Sequence, residues 1–272
     1  FRRVLFRSAM QLAYADRARF LGDPDFATVP QALLLSPAYL QERRQRTFGE
    51  RALPAADVTP VSAERWQQLE QQLRESSDTT HLSLLDAEGN AVATTQSING
   101  WMGAGQVAAG TGIVLNNTHD DFSIADGVAN LYGAVGGVPN RLQPGKTPLS
   151  SMTPTLVFDP APGSKPTMAI GAPGGTRIIG FVAQSVVGYL DWQLSAQQAV
   201  AAPHYLAERG PVELEEDTDV VAQRSALEAM GHTVAIRDLN SGLHAIAIDY
   251  TRRGRVLSAG VDPRREGAAR GD

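Results

Sequence analysis

Along residues 9–20 (AMQLAYADRARF), Met10, Ala13, Tyr14, Arg17 and Ala18 recur at three- and four-residue spacing. This spacing predicts an amphipathic helix, which Gly22-Asp23-Pro24 then stops. A second helix is expected over 36–46. A third is expected over 62–76, where Trp66, Leu69 and Leu73 form one stripe and Ser62 opens a capping-box pattern with Arg65 in place of the preferred acid. A Pro- and Ala-containing linker, 52–60, lies between them.

At Ser76-Ser77-Asp78-Thr79-Thr80 the period changes from helix to strand. Residues 81–86 and 91–97 are short β-type runs joined by the turn-forming Ala87-Glu88-Gly89-Asn90, so a hairpin is expected to open at Thr79. A glycine-rich stretch (100–112), a strand (113–116) and a long loop (120–151) follow. Beyond them come strands at 154–158 and 167–171 and helices at 177–191, 195–202 and 220–230. Strands at 234–237, 244–248 and 255–261 close the chain. Strands grouped in hairpins, with helices between the groups, imply an α+β fold of two sheets covered by helices rather than alternating βαβ units.

The 272 residues, 43% hydrophobic and 19% charged, are enough to bury a sizeable core. A net charge of −5, with no stretch concentrating Lys and Arg, argues against nucleic-acid binding and leaves small molecules as the expected partners. The absence of cysteine removes disulfides, thiolate metal sites and cysteine nucleophiles. No apolar run is long enough for a membrane helix, and no signal peptide opens the chain. Residues 2–8 (RRVLFRS) read like the translated end of a sequencing adapter, so residues 1–8 are expected to be non-native.

Other chemical signatures are weak. Gly145-Lys146-Thr147 lacks the first glycine of a phosphate-binding loop, since Asn140 stands there, and Pro148 follows where a helix should begin. Gly103-Ala104-Gly105 lacks the third glycine of a dinucleotide fingerprint. His81, His119, His204, His232 and His244 show no metal-ligand spacing, and neither a metal nor a cofactor is expected.

The run Thr79-Thr80-His81-Leu82-Ser83, continuing through Asp86, Gly89-Asn90 and Ala91-Val92, resembles the start of the small subunit in the γ-glutamyltransferase family of N-terminal-nucleophile hydrolases. Further motifs follow in the family's order: Asn99, residues 111–117, Asp120-Asp121-Phe122-Ser123, Pro148-Leu149-Ser150-Ser151-Met152 and Gly171-Ala172-Pro173-Gly174-Gly175. Asp262-Pro263-Arg264-Arg265 resembles the family's closing segment. Tyr14-Ala15-Asp16-Arg17 and Gly22-Asp23-Pro24-Asp25-Phe26 resemble the end of its large subunit.

The resemblance implies a four-layer αββα sandwich, truncated at its N-terminus. Residues 9–78 would be the tail of the large subunit plus linker, and residues 79–272 the catalytic small subunit, released by self-cleavage between Asp78 and Thr79. It further implies Thr79 as nucleophile, with its own freed amine as base; an unperturbed α-amine has a pKa of about 7.7 to 8.0, suited to that task near neutral pH. Ser97 matches the threonine that bonds the nucleophile's hydroxyl, and Gly174 and Gly175 match the oxyanion pair, where two N–H groups must approach closely without side chains. The substrate's α-carboxylate is expected to meet Ser150, Ser151 and an arginine of the missing large-subunit segment. Its α-ammonium is expected to meet Asn99 and Asp121, with Tyr132 as a gate.

Two departures from the family pattern stand out. Thr118 occupies a position usually held by Glu or Gln, and Gly100-Trp101-Met102 alters the pocket wall. Three functions therefore remain open: a γ-glutamyl hydrolase or transferase acting on glutathione-like compounds with water or an amino acceptor; an acylase for another amide, such as an acylated β-lactam; and a catalytically silent fragment. The resemblance implies a periplasmic or secreted location.

Overall fold

The computed structural model describes residues 2–47, 51–53, 79–125, 128–161, 163–208 and 210–271. In chain order the elements are α1 (Arg2–Phe20), α2 (Gln31–Leu34), α3 (Pro37–Thr47), β1 (Thr79–Leu85), β2 (Ala91–Ser97), β3 (Thr155–Phe158), β4 (Pro166–Gly171), α4 (Ile178–Leu190), α5 (Ala196–Ala201), β5 (Tyr205–Leu206), β6 (Val212–Glu215), α6 (Arg224–Ala229), β7 (Val234–Arg237), β8 (His244–Thr251) and β9 (Gly254–Val261). The mixture is α+β. The helix expected over 62–76, with its Ser62 cap, lies outside the described residues.

Two compact units are interleaved along the sequence: residues 1–74, 118–150 and 203–239 form one, and residues 75–117, 151–202 and 240–272 the other. In the first, helices α1 to α3 and the 118–150 loop accompany a three-stranded sheet, β5-β6-β7, whose β6–β7 pair is parallel. Its core gathers Tyr205, Ala207, Val212, Leu214, Val220 and Leu227, with Phe6 of α1 meeting Tyr205 edge-on. Gly22 ends α1 where a Cβ would overlap the Pro139 carbonyl, so only glycine fits that close approach. The helix expected over 220–230 is broken, with a 3-10 turn at Asp219–Gln223 leading into the short α6.

The second unit is built on the antiparallel sheet β3-β4-β8-β9. Nearly every residue of β4 is buried, because the sheet is covered on both faces. On one face α5 packs against β8 and β9, so closely that a Cβ at Gly260 would strike the Ala196 backbone, and α4 packs against β4. A capping box fixes the start of α5: Ser195 Oγ accepts from Gln198 N, and Gln198 Oε1 accepts from Ser195 N. On the opposite face lies the β1–β2 hairpin, in contact with β4 and β8, and a Cβ at Gly171 would enter the His81 ring. Among its described residues this unit thus has three layers: helices, sheet and hairpin.

The hairpin is inside out. Its register pairs Thr79 with Ser97, His81 with Thr95 and Ser83 with Ala93. The strand's two-residue period puts Thr79, His81, Ser83, Thr95 and Ser97 on the covered face. Leu82, Leu84 and Val92 face outward, 49%, 49% and 46% exposed. The strand expected over 113–116 is reduced to one bridge, Val107 to Val114, because the glycines around it break the ladder.

Beyond β9, Asp262 is buried and accepts hydrogen bonds from Ser241 Oγ, Leu243 N and Arg264. Arg264 donates in turn to the Val200 and Ala202 carbonyls at the end of α5.

Candidate active site

Thr79 is the first residue of β1 and is 6% exposed. Its hydroxyl lies 2.9 Å from Ser97 Oγ, across the pair that starts the hairpin register. Ser97 Oγ also accepts the backbone N–H of Asn99 at 2.9 Å. That bond fits if Ser97 gives its own proton to Thr79, leaving the Thr79 hydroxyl to release its proton elsewhere.

Asn99 takes a left-handed conformation (φ 75°), which asparagine tolerates better than most side chains. Its Nδ2 donates to the Asn117 carbonyl, and Asn117 Oδ1 accepts from Gly100 N, so the turn after β2 is held to the strandless 113–117 segment.

In the same unit β4 runs into buried Ala172 and Pro173 and then into Gly174 and Gly175, at φ 128° and 59°. Neither angle suits an L side chain, and at Gly174 a Cβ would come within 2.9 Å of the buried Phe181 ring. The chain continues through a 3-10 turn, Gly175–Arg177, into α4, so this bare backbone sits at the start of a helix of 13 residues. Exposed N–H groups and the helix dipole favour developing negative charge there. Ser151 also belongs to this unit and is partly buried.

The other unit carries Asp121, Tyr132 and Ser150. Burial pushes the Asp121 carboxyl up to about 6, with a further push from Asp120 and a downward pull from Arg17. Buried Asn140 anchors the region by donating to the Asp121 carbonyl and accepting from Leu149 N. The Tyr132 loop is stapled rather than loose, because Asn130 Oδ1 accepts from Tyr132 N and Ala134 N while Asp120 Oδ2 accepts from Leu131 N. Tyr132 is partly buried and Ser150 exposed.

Two residues escaped the sequence reading. Arg17 reaches the Leu149 and Ser150 carbonyls at 3.4 Å and ties α1 to the backbone at Ser150; its place in the Tyr14-Ala15-Asp16-Arg17 motif was the available signal. Burial lowers its pKa, opposed by the charges of Tyr14, Glu208 and Asp121. His81, 4% exposed, has Nδ1 2.8 Å from Thr95 Oγ1 and Nε2 3.0 Å from Ser83 Oγ. Burial, reinforced by His244, depresses its pKa to about 4, so the ring is neutral at physiological pH. The signal for His81 was its two-residue step from Thr79 on the same strand face.

A family model described as gamma-glutamyltranspeptidase matches residues 4–272. The chain belongs to this family. It is 38% identical over 245 residues to the glutathione hydrolase proenzyme of Escherichia coli (strain K12), covering 90% of this chain and 40% of that protein. A crystal structure of a Helicobacter pylori gamma-glutamyltranspeptidase variant is similar with a TM-score of 0.64 and 35% identity, over 68% of this chain and all of that one. The cephalosporin acylase of Bacillus halodurans is similar with a TM-score of 0.73 and 26% identity, over 95% of this chain and 42% of that one. The chain therefore spans about two-fifths of the length of the E. coli relative, and its structural neighbours are N-terminal-nucleophile hydrolases. Among the described residues, no group of His, Cys, Asp and Glu could hold a metal ion.

Proposed function

We propose that this gamma-glutamyltranspeptidase-family chain carries the catalytic half of a γ-glutamyl hydrolase or transferase. In this reading cleavage between Asp78 and Thr79 frees the Thr79 amine, which takes the proton of the Thr79 hydroxyl as the oxygen attacks the γ-carbonyl of a glutathione-like substrate. Backbone N–H groups of Gly174 and Gly175 stabilise the oxyanion, the departing amine takes up the proton, and a γ-glutamyl ester on Thr79 remains. Water or an amino acceptor then releases the γ-glutamyl group. The observation that carries this reading is the 2.9 Å bond between Thr79 and Ser97 at the mouth of a covered, polar strand face, with Ser97 Oγ already accepting a hydrogen bond from Asn99 N.

Ser150 and Ser151 hold the substrate α-carboxylate, Asn99 and Asp121 its α-ammonium, and Tyr132 gates the pocket. An arginine from a large-subunit segment outside this chain completes carboxylate binding. The same segment covers the apolar outer face of the hairpin and supplies the fourth layer of an αββα sandwich, which the exposed Leu82, Leu84 and Val92 support. The parent enzyme works in the periplasm or is secreted.

The test is N-terminal sequencing of the purified full-length protein, with turnover of γ-glutamyl-p-nitroanilide. A chain starting at Thr79 is expected, and Thr79→Ala should abolish both processing and turnover; full turnover in that variant would refute the proposal. The acylase reading is favoured by Thr118 and by the likeness to cephalosporin acylase, and Asp121→Asn separates the two. Losing a charge-assisted bond costs about 1.5 to 3 kcal/mol, or roughly 10- to 100-fold in KM, for γ-glutamyl substrates and nothing for glutaryl amides, which lack the ammonium. An enzyme that prefers glutaryl amides and ignores Asp121→Asn is an acylase.

A further inference from the structure

The catalytic reading uses Thr79 and Ser97 but leaves the next rung of the hairpin unexplained. His81 follows Thr79 on the same face of β1, and its register partner Thr95 precedes Ser97 on the same face of β2. Both ring nitrogens are engaged, Nδ1 with Thr95 Oγ1 and Nε2 with Ser83 Oγ, so the ring cannot rotate without losing two hydrogen bonds. A neutral imidazole has one donor and one acceptor nitrogen, and hydroxyls can play either part, so this arrangement is satisfied in both tautomers.

The ring fills the space that a Cβ at Gly171 would need. Gly171 ends β4, and Gly174 lies three residues further along the chain. His81 is therefore one contact through which the nucleophile strand rests on the strand leading to the oxyanion turn, with two residues of chain on one side and three on the other. A buried imidazole needs a partner at each nitrogen, and the two hydroxyls supply them from within the hairpin while the bare Gly171 backbone receives the ring from the sheet.

We propose that His81 is a positioning residue: clamped between Thr95 and Ser83 and seated on Gly171, it fixes the approach of the Thr79 hydroxyl to the Gly174-Gly175 turn. The inference rests on the reading of Thr79 as nucleophile. It explains why an imidazole occurs on a face whose neighbouring positions carry the hydroxyls of Thr79, Ser83, Thr95 and Ser97. A flat, rigid ring with polar atoms at both edges can act as a spacer between layers and a clamp within one, which a longer flexible side chain cannot.

The test uses the full-length protein, with kcat expressed per processed chain from the burst of p-nitroaniline. Thr95→Val removes one clamp while keeping the side chain's shape, and should lower kcat on the order of tenfold with KM unchanged, as expected when reacting groups are misaligned but binding is intact. His81→Ala should lower kcat further. Gly171→Ala should also lower kcat, by driving a methyl into the ring. In Gly171→Ala/His81→Ala the methyl enters vacated space, so kcat should exceed that of Gly171→Ala alone.

Unchanged kcat in both Thr95→Val and His81→Ala would overturn the proposal, as would a rise in KM at constant kcat or a double variant no better than Gly171→Ala. If His81→Ala is not recovered folded, Thr95→Val decides. Thr79→Ala is the control: turnover retained there refutes the nucleophile assignment, whereas an inactive Thr79→Ala beside unimpaired His81 and Thr95 variants refutes only the role of His81.

Discussion

Gly174→Ala tests the oxyanion assignment with a perturbation whose size follows from the backbone. Gly174 stands at φ 128°, ψ 23°, where an L side chain is strained, and the new Cβ would lie 2.9 Å from Phe181 Cε2 and 3.3 Å from Cδ2. The ring is fully buried, so it cannot swing away cheaply. Strain of this kind costs about 1 to 3 kcal/mol and overpacking about as much again, which lowers the melting temperature by roughly 5 to 20 °C at about 2 to 4 °C per kcal/mol. If the turn supplies the donors, the displaced backbone also costs on the order of 10² to 10³ in kcat.

The assay pairs a thermal melt with kcat and KM on γ-glutamyl-p-nitroanilide, for Gly174→Ala and for Gly174→Ala/Phe181→Leu. The second change relieves the ring contact but not the φ angle, so it should recover part of the melting temperature and little of kcat. A Gly174→Ala enzyme that melts lower yet keeps kcat within about threefold of the parent would show that the turn moved without consequence for the chemistry, and the oxyanion role would fall.

Two further outcomes are expected. His81 and His232 both have pKa values depressed to about 4, chiefly by burial, against an ordinary 6.5, so between these values the unfolded chain binds protons that the folded chain does not. Their contribution to stability is complete above about pH 6.5 and is lost as pH falls toward 4, by up to about 1.4 kcal/mol per pH unit for each histidine before solvent screening; urea titrations at pH 7.5, 6 and 5 should show it, and a slope unchanged by His232→Gln would contradict it. Arg7 is a buried cation whose guanidinium has neither Nη bonded, and burial pulls its pKa down to about 10. Arg7→Met should therefore stabilise the chain by about 1 to 4 kcal/mol in urea denaturation, and a loss of stability would reveal an anion serving that charge.

Local rules carried the sequence reading far where the chain's own period decides structure. The hairpin turn is set by Asp86, whose Oδ1 accepts from Gly89 N and Asn90 N, and such a turn is written in the residues themselves. The start of α5 is written likewise in its capping box. The parallel pairing of β6 with β7 was not legible, because each strand is only four residues long and too brief to show a period. Residues 113–116 have the composition of a strand and do bond to the backbone of 104–108, but the positive-φ glycines on that neighbouring stretch keep the pairing from extending into a ladder. At the site, the bond between Thr79 and Ser97 was implied by the family resemblance and follows in the structure from the hairpin register, whereas the seat of His81 on Gly171 depends on how two layers stack, which no single stretch of sequence specifies.

The inverted hairpin has a consequence for how this protein can vary. In the proposed reading, one short ribbon carries chemistry on its inner side and receives a covering segment on its outer side, and both hang from the same peptide groups. A charge introduced at Leu82 or Leu84 would never touch the substrate, yet by disturbing whatever shelters that side it would tilt the backbone from which Thr79 projects. Positions 82 and 84 should accordingly be as intolerant of change across relatives as the nucleophile's own neighbours, and an inventory drawn up only from residues facing the reaction would overlook them.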